Sequence, residues 1–555
     1  MILHRPELIE EFTTSGLWSP DHTLLDDLDH AARTHPDRVA YSDPPNRREL
    51  IGSDPTSLTW SELKDAVDAV ATSLIDLGLA KDDVVVVQSP NVVELPLLYL
   101  AICRAGGIIS PVPMQWRSKD IGYVAGLTGA RFLIAPEQFK NHRALDDARA
   151  WQEGSSIEHL IDLADISAMA RRVPRPDVLA ERRPSPYEVF TLCWTSGTES
   201  QPKGCPLSHN NWNFGGEALV KSLSLREGSH RQVAAAPVTN MLGVCLTITV
   251  NLKLAGSVAL HHPLDLDLLI QQINDHETQF LILPPAILRQ LLNAPEGQLD
   301  LSSVDSIMTG GSPPSASLIE GYRHRWGVEI VNGWGMNEGA GLWAGPDDVP
   351  DAERRSTHLP WYGLPGHEWP SGISGLQYKV VGDDGVPTTR AGDVGELLVR
   401  SPLTFPGYFN RPDLQERTFD AEGYLHTGDL FMVKGDGFLS YYDRKKDIII
   451  RGGFNISAAE VENLVVGAPG VADCAAVGVP DEELGERVCI VVVPRDESNP
   501  PTLEEILTYL REAGLAVYKL PEFIEYMTEL PRNPVGKLLK RDIRTSVRQT
   551  VQSTQ

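Results

Sequence analysis

Cysteine is scarce in this 555-residue chain: Cys103, Cys193, Cys205, Cys245, Cys474 and Cys489 are scattered, with no C-x-x-C pair and no nearby Cys/His cluster. That spacing argues against a disulfide framework or a structural zinc site. Positive charge is also short: 49 Lys plus Arg stand against 75 Asp plus Glu, a net charge of −26. Such a balance gives no support to nucleic acid or an anionic membrane as the main partner, although a local cluster can still bind phosphate. Internal repeats and low-complexity linkers are missing. The start, MILHRPELIEEF, meets charge too early for a secretory signal. One long uncharged run exists, at 232–252, but it carries Pro237, Asn240 and Asn251 and lacks an aromatic or basic belt. It is expected to be buried strand and loop rather than a membrane span. With 42% hydrophobic and 22% charged residues, the chain reads as a large, soluble, acidic, cytoplasmic protein.

What is present is alternation. LTWSELKDAVDAVATSLIDLGL has helical periodicity, with Thr59 or Ser61 placed to cap it and Gly78 to close it, and the buried strand DDVVVVQSP follows. ARFLIAP, SVALHHP, TQFLILPP, DSIMTGG and VEIVNGWG repeat the strand signal with helical stretches between, which predicts parallel sheets covered on both faces. Near Gly375 the texture shifts to short strands between Gly/Asp turns, LQYKVV, GELLVRSP and GYLHTGDL, as in a small β-rich subdomain. Beyond DRKKD at 443–447 the pattern is α+β. The expected fold is therefore α/β. A large N-terminal domain, 1–443, has parallel-sheet subdomains and the β-rich subdomain; a small mobile α+β domain spans 444–555.

Four loops carry candidate chemistry. In TLCWTSGTESQPKGCPLSHNN, a strand at 189–194 feeds small hydroxyl and glycine residues followed by Lys203. Backbone N–H groups there could converge on phosphate oxygens, but the spacing is not Walker A, and taken alone it fits a solvated turn equally well. NGWGMNEGAG follows the strand VEIV; Gly333, Gly335 and Gly339 permit close approach, Trp334 offers a flat face and Glu338 a hard oxygen ligand. Taken alone it is a structural turn with a core tryptophan. Asp429, expected at a strand end, could accept from sugar hydroxyls, with Arg444 on the next loop; singly they read as a turn carboxylate and a solvated charge run. Lys537 follows Pro534 and Gly536 in the last loop and would by itself be surface decoration.

Taken in order, these segments resemble the acyl- and aryl-adenylate-forming ligases, the superfamily of acyl-CoA synthetases, aryl-acid activating enzymes and luciferases, and most of all the carboxylic acid–CoA ligases. The family's T-S-G-T-T-G-x-P-K-G is similar to Thr195-Ser196-Gly197-Thr198-Glu199-Ser200-Gln201-Pro202-Lys203-Gly204, and its G-Y-G-M-T-E to Gly333-Trp334-Gly335-Met336-Asn337-Glu338. T-G-D matches Thr427-Gly428-Asp429, the hinge matches DRKKDIIIRGGFNIS, and P-x-x-x-x-G-K matches 531–537. The resemblance spans 23–544.

The resemblance implies ATP-dependent formation of an acyl-adenylate, then transfer to CoA, with ATP, Mg2+ and CoA required. Lys537 would bridge the carboxylate and the α-phosphate, Asn337 would donate to that phosphate, and Glu338 would hold the metal. Thr195, Ser196, Gly197, Thr198 and Lys203 would cradle the outer phosphates. Gly311, Asn332, Gly333 and Trp334 would lie by the adenine, and Asp429 and Arg444 by the ribose. The C-terminal domain would rotate about Lys446 and present Gly452 and Gly453 to pantetheine. Asn240, Met241, Gly311, Trp334, Gly339 and Trp343 would line the acid pocket, where Asn240 replaces the family's histidine and suits a compact or polar acid; the alternative is that Trp343 packs in a core and Asn240 only braces its loop. The partner is a small carboxylic acid, then CoA or an acyl or aryl carrier protein, and the resemblance allows a homodimer. Two other functions stay open: an acid–AMP ligase that delivers to a carrier protein or an amine, and an inactive nucleotide-binding relative. Retention of Glu338, Asp429, Arg444 and Lys537 argues against the latter.

Overall fold

A computed structural model describes the chain apart from residues 196–200, 228, 229, 482, 533–537 and 555. It divides into two compact units, Met1–Gln377 with Val399–Leu425, and Tyr378–Leu398 with His426–Gln555.

The first unit holds two sheets. One runs in the order Ala340–Ala344, Glu329–Met336, Ser306–Gly310, Phe280–Ile282, Arg231–Ala234, Ser257–Leu260, Val39–Ser42, Ser57–Thr59. It is parallel throughout except for an antiparallel strand at each edge. The other runs His159–Asp162, Phe132–Ala135, Val84–Gln88, Ile108–Val112, Val189–Thr195, Lys203–Ser208, again parallel until its last, antiparallel strand. Val84–Gln88 is buried along its whole length, as a strand covered on both faces must be. The helix Trp60–Asp76 that precedes it in the chain starts at a Thr59/Glu62 capping box, and Gly78, at φ 94°, turns the chain out of it.

In the second unit, the strands Phe438–Arg444, Leu425–Gly435, Val394–Arg400, Gln377–Val381 and Pro387–Thr388 follow one another in a β-rich sheet. A further sheet of Phe454–Ile456, Ile449–Arg451, Gly485–Pro494, Val471–Asp481 and Phe523–Tyr526 packs against the helices Ala458–Val465 and Leu503–Glu512 through Val461, Val465, Ile506 and Leu510.

Three local expectations are corrected. Within 232–252 only the first residues are strand; from Met241 the chain is helical, with π-type turns at Cys245–Val250. A continuous apolar run has no period to distinguish buried helix from buried strand. Among the described residues no helix is long and apolar enough to cross a membrane. The glycines of NGWG do not form a turn: Gly333 and Gly335 lie inside the strand Glu329–Met336. A Cβ on Gly333 would stand 2.6 Å from the Met308 methyl, and one on Gly335 3.0 Å from the Ala340 carbonyl oxygen. Asp429 is likewise inside a strand, Leu425–Gly435, rather than at its end. All six cysteines are buried free thiols.

Candidate active site

Both sheets of the first unit bring loops to the carboxyl ends of their parallel strands, where open α/β sheets place ligands. In one sheet Thr195 pairs with Lys203 across an antiparallel hairpin. Ser196, Gly197 and Thr198, together with Glu199 and Ser200, lie outside the described residues. The base of this hairpin is firm. The Trp194 indole N–H donates to Ser110 Oγ at 2.8 Å, and a Cβ on Gly204 would stand 3.2 Å from its ring. The Thr195 hydroxyl is buried with no hydrogen-bond partner among the described residues.

In the other sheet, Asn337, Glu338 and Gly339 turn the chain between the strands Glu329–Met336 and Ala340–Ala344. Gly339 has φ 86° and lies so close to the Leu403 carbonyl that a side chain has no room. Trp343 pairs with Gly333 and is 5% exposed. A Cβ on Gly341 would stand 2.5 Å from its indole, so the ring occupies space that two glycines leave empty. Gly311 follows the strand Ser306–Gly310 at φ 85°, with open space where its side chain would be. The Asn332 carboxamide is buried and donates to the carbonyls of Arg355 and Ser356.

The two loops are joined by side chains. Asn337 Oδ1 accepts from the Met241 N–H at 2.8 Å, and its Nδ2 donates to the Trp194 carbonyl at 3.0 Å. Asn240 caps the helix that begins at Met241 by accepting from the Gly243 N–H at 2.9 Å. Glu338 is 7% exposed and accepts from the Tyr408 hydroxyl at 2.7 Å. Lys203 Nζ stands 4.6 Å from the centre of the same tyrosine ring. Thr195, Lys203, Asn240, Met241, Asn337, Glu338 and Gly339 are thus gathered into one region of the first unit. Tyr408, which links the carboxylate to the ammonium, was not anticipated. Its segment PGYFNRP carries no local sign of what it contacts.

Among the described residues no group of three His, Cys, Asp or Glu could hold a metal ion. Glu338 is a buried carboxylate of the kind that can supply one hard oxygen to a magnesium ion.

In the second unit, Asp429 pairs with Arg444 across neighbouring strands, and Arg444 Nε approaches Asp429 Oδ1 at 3.3 Å. With Thr427, Gly428, Lys445 and Lys446 they line a cleft of about 310 Å3. The Asp429 N–H donates to Thr427 Oγ1 and the Gly428 N–H to Glu396, which also pairs with Lys445. Burial, then the charges of Asp429 and Asp443, push the Tyr441 phenol up. Gly452 and Gly453 form an exposed two-residue turn, both at positive φ, between Ile449–Arg451 and Phe454–Ile456. Lys537 lies outside the described residues.

Comparison with known proteins gives a consistent result. The profile described as AMP-binding enzyme matches residues 28–409, and that of the AMP-binding enzyme C-terminal domain matches 460–537. A feruloyl-CoA synthase from Amycolatopsis sp is 30% identical over 493 residues, 88% of this chain and 94% of that protein. The medium-chain fatty-acid–CoA ligase of Escherichia coli (strain K12) is 28% identical over 556 residues, 97% of this chain and 94% of that one. Among solved structures, the anthranilate CoA ligase AuaEII in complex with anthranoyl-AMP superposes with a TM-score of 0.81 at 22% identity, covering 96% of this chain and 98% of the other.

Proposed function

The chain belongs to the AMP-binding enzyme family, and from that premise we propose that it activates a carboxylic acid with ATP and passes the acyl group to CoA. A carboxylate oxygen attacks the α-phosphorus, the bond to the β-phosphate oxygen breaks, and pyrophosphate leaves. The CoA thiol then gives up its proton, its sulfur attacks the acyl carbon, and AMP departs. The observation that carries this reading is the meeting of Lys203, Tyr408 and Glu338 beside the loop that starts at Thr195.

Negative charge grows around the α-phosphate, so fixed donors and cations are the catalytic device. Thr195, Ser196, Gly197 and Thr198 hold the outer phosphates with Lys203. Magnesium, held by Glu338, would neutralise charge on those phosphates. Gly311, Asn332, Gly333 and Trp334 border the adenine; the backbone of Asn332 serves there, since its carboxamide is committed elsewhere. Asp429 accepts from the ribose hydroxyls with Arg444 beside it. Lys537 bridges carboxylate and phosphate in the first step. Residues 1–443 carry ATP and acid, while 444–555 turn about Lys446 between the steps and bring Gly452 and Gly453 to pantetheine.

For the acid, the indole of Trp343 laid against Gly341 and Gly333 argues for a short pocket. A compact or polar-substituted acid suits Asn240, Met241, Trp334 and Gly339 better than a long alkyl chain. The Lys537→Ala variant tests the assignment. Pyrophosphate release should fall by at least ~100-fold, on the scale of one preorganised donor, while thiolysis of supplied acyl-adenylate stays nearly intact. Undiminished pyrophosphate release would remove Lys537 from this role.

A further inference from the structure

Asn337 stands where the resembling ligases carry threonine, and it does something a threonine cannot. Its two partners are both backbone groups of fixed polarity. The Met241 N–H can only donate, so it selects Oδ1; the Trp194 carbonyl can only accept, so it selects Nδ2. The carboxamide is therefore a strut with one end on each loop. A threonine hydroxyl is a single polar atom on a shorter side chain and cannot span both.

Each end of the strut rests on a braced element. On the nucleotide side, Trp194 is tied to Ser110 and packed against Gly204, and the residue after it is Thr195, where the phosphate-binding loop begins. On the acid side, Met241 opens a helix whose entry is fixed several times over. Asn240 caps it, the Tyr99 hydroxyl donates to the Val238 carbonyl at 2.7 Å, and Asn91 Nδ2 donates to the Ala236 carbonyl at 3.0 Å. Gly243 has no room for a side chain, because the Pro237 carbonyl occupies that space. With both ends stiff, a shift at one is felt at the other rather than absorbed.

We propose that Asn337 is a positioning residue that couples the two substrate sites, so that nucleotide held beside Thr195 and Lys203 adjusts the position of the acid-binding segment 237–244. This rests on the adenylation reading and deepens it: the coupling of the two substrate sites runs through one side chain. Reciprocity follows, since whatever nucleotide does for the acid segment a bound acid must do for nucleotide affinity.

Hydrogen exchange of the segment 238–246 tests this without knowledge of the acid, using α,β-methylene-ATP with magnesium as probe. In the wild-type chain the probe should slow exchange at the Met241 amide by at least ~5-fold, the lower bound of ordinary site-to-site coupling. In Asn337→Thr the probe should still bind, as read by calorimetry, yet leave that exchange within about twofold of its probe-free value, against the coupling expected above. Asn337→Ser should behave as Asn337→Thr does. Equal protection in wild type and variants would overturn the coupling role. So would a wild-type chain that binds the probe with no change at Met241, a result that needs no variant to fold. Failure of the wild-type chain to bind the probe would instead remove the adenylation reading on which the coupling rests.

Discussion

Replacing Tyr408 by Phe is the perturbation whose size the structure defines best. The phenol donates at 2.7 Å to a carboxylate that is 7% exposed, so the lost bond is charge-assisted and poorly replaced by water. Hydrogen bonds to charged groups contribute about 1.5–3 kcal/mol, or about 10- to 150-fold in an equilibrium. Partners that orient a metal-binding carboxylate have effects on the same scale, about 10- to 100-fold in metal affinity. The ring stays in Tyr408→Phe, so Lys203 keeps its aromatic neighbour while Glu338 loses the phenol's hydrogen bond. Tyr408→Leu removes the ring as well and should cost a further ~0.5–2 kcal/mol, expressed in ATP affinity. The assay is acid-dependent pyrophosphate release against magnesium concentration at saturating ATP. Tyr408→Phe should need about 10- to 100-fold more magnesium for half its maximal rate, with the acid KM unchanged. An unchanged magnesium requirement would refute the reasoning, as would a parallel rise in the acid KM.

Two further substitutions probe the pocket and the frame. Trp343→Leu vacates the space beside Gly341 and Gly333, and should raise kcat/KM for longer straight-chain acids relative to compact ones by at least ~10-fold, the value of one or two accommodated methylenes; a competition assay with a mixed acid panel reads the ratio. His209 is fully buried, its Nδ1 accepts from the Leu24 N–H, and burial lowers its pKa to about 4. Because the unfolded chain binds this proton between pH 6.5 and 4 and the folded chain does not, stability should fall as pH drops through that window. The loss is about 3 kcal/mol. Urea unfolding at pH 7 and pH 4.5 should show a smaller acid loss for His209→Gln than for the wild-type chain.

What the sequence made legible follows the range of each interaction. The cap, left between Thr59 and Ser61 and found at Thr59, the Val84–Gln88 strand and the Gly78 stop rest on neighbours within a few residues, which is why the sequence showed them. Gly333 and Gly335 suggested a turn because glycine's local freedom was visible while Met308 and Ala340, which need the space, were not. The helix after Met241 was hidden by uniform hydrophobicity. Lys203, Asn337 and Glu338 were singled out as site candidates through their spacing against a known motif order. Tyr408 had no such signal: its partner Glu338 is 70 residues away, and only folding makes them neighbours. Asn337 was read as a phosphate donor from its position in a motif, and its span between Trp194 and Met241 is a fact of tertiary structure alone.

The central claim is adenylate chemistry, and the products decide it. Mass-resolved analysis with MgATP and a panel of short, medium, alicyclic and aromatic acids, with and without CoA, should give AMP and pyrophosphate in equal amounts for an accepted acid, and an acyl-CoA when CoA is present. Acid-dependent formation of ADP and phosphate, or no acid-dependent turnover of ATP across the panel, would contradict the account.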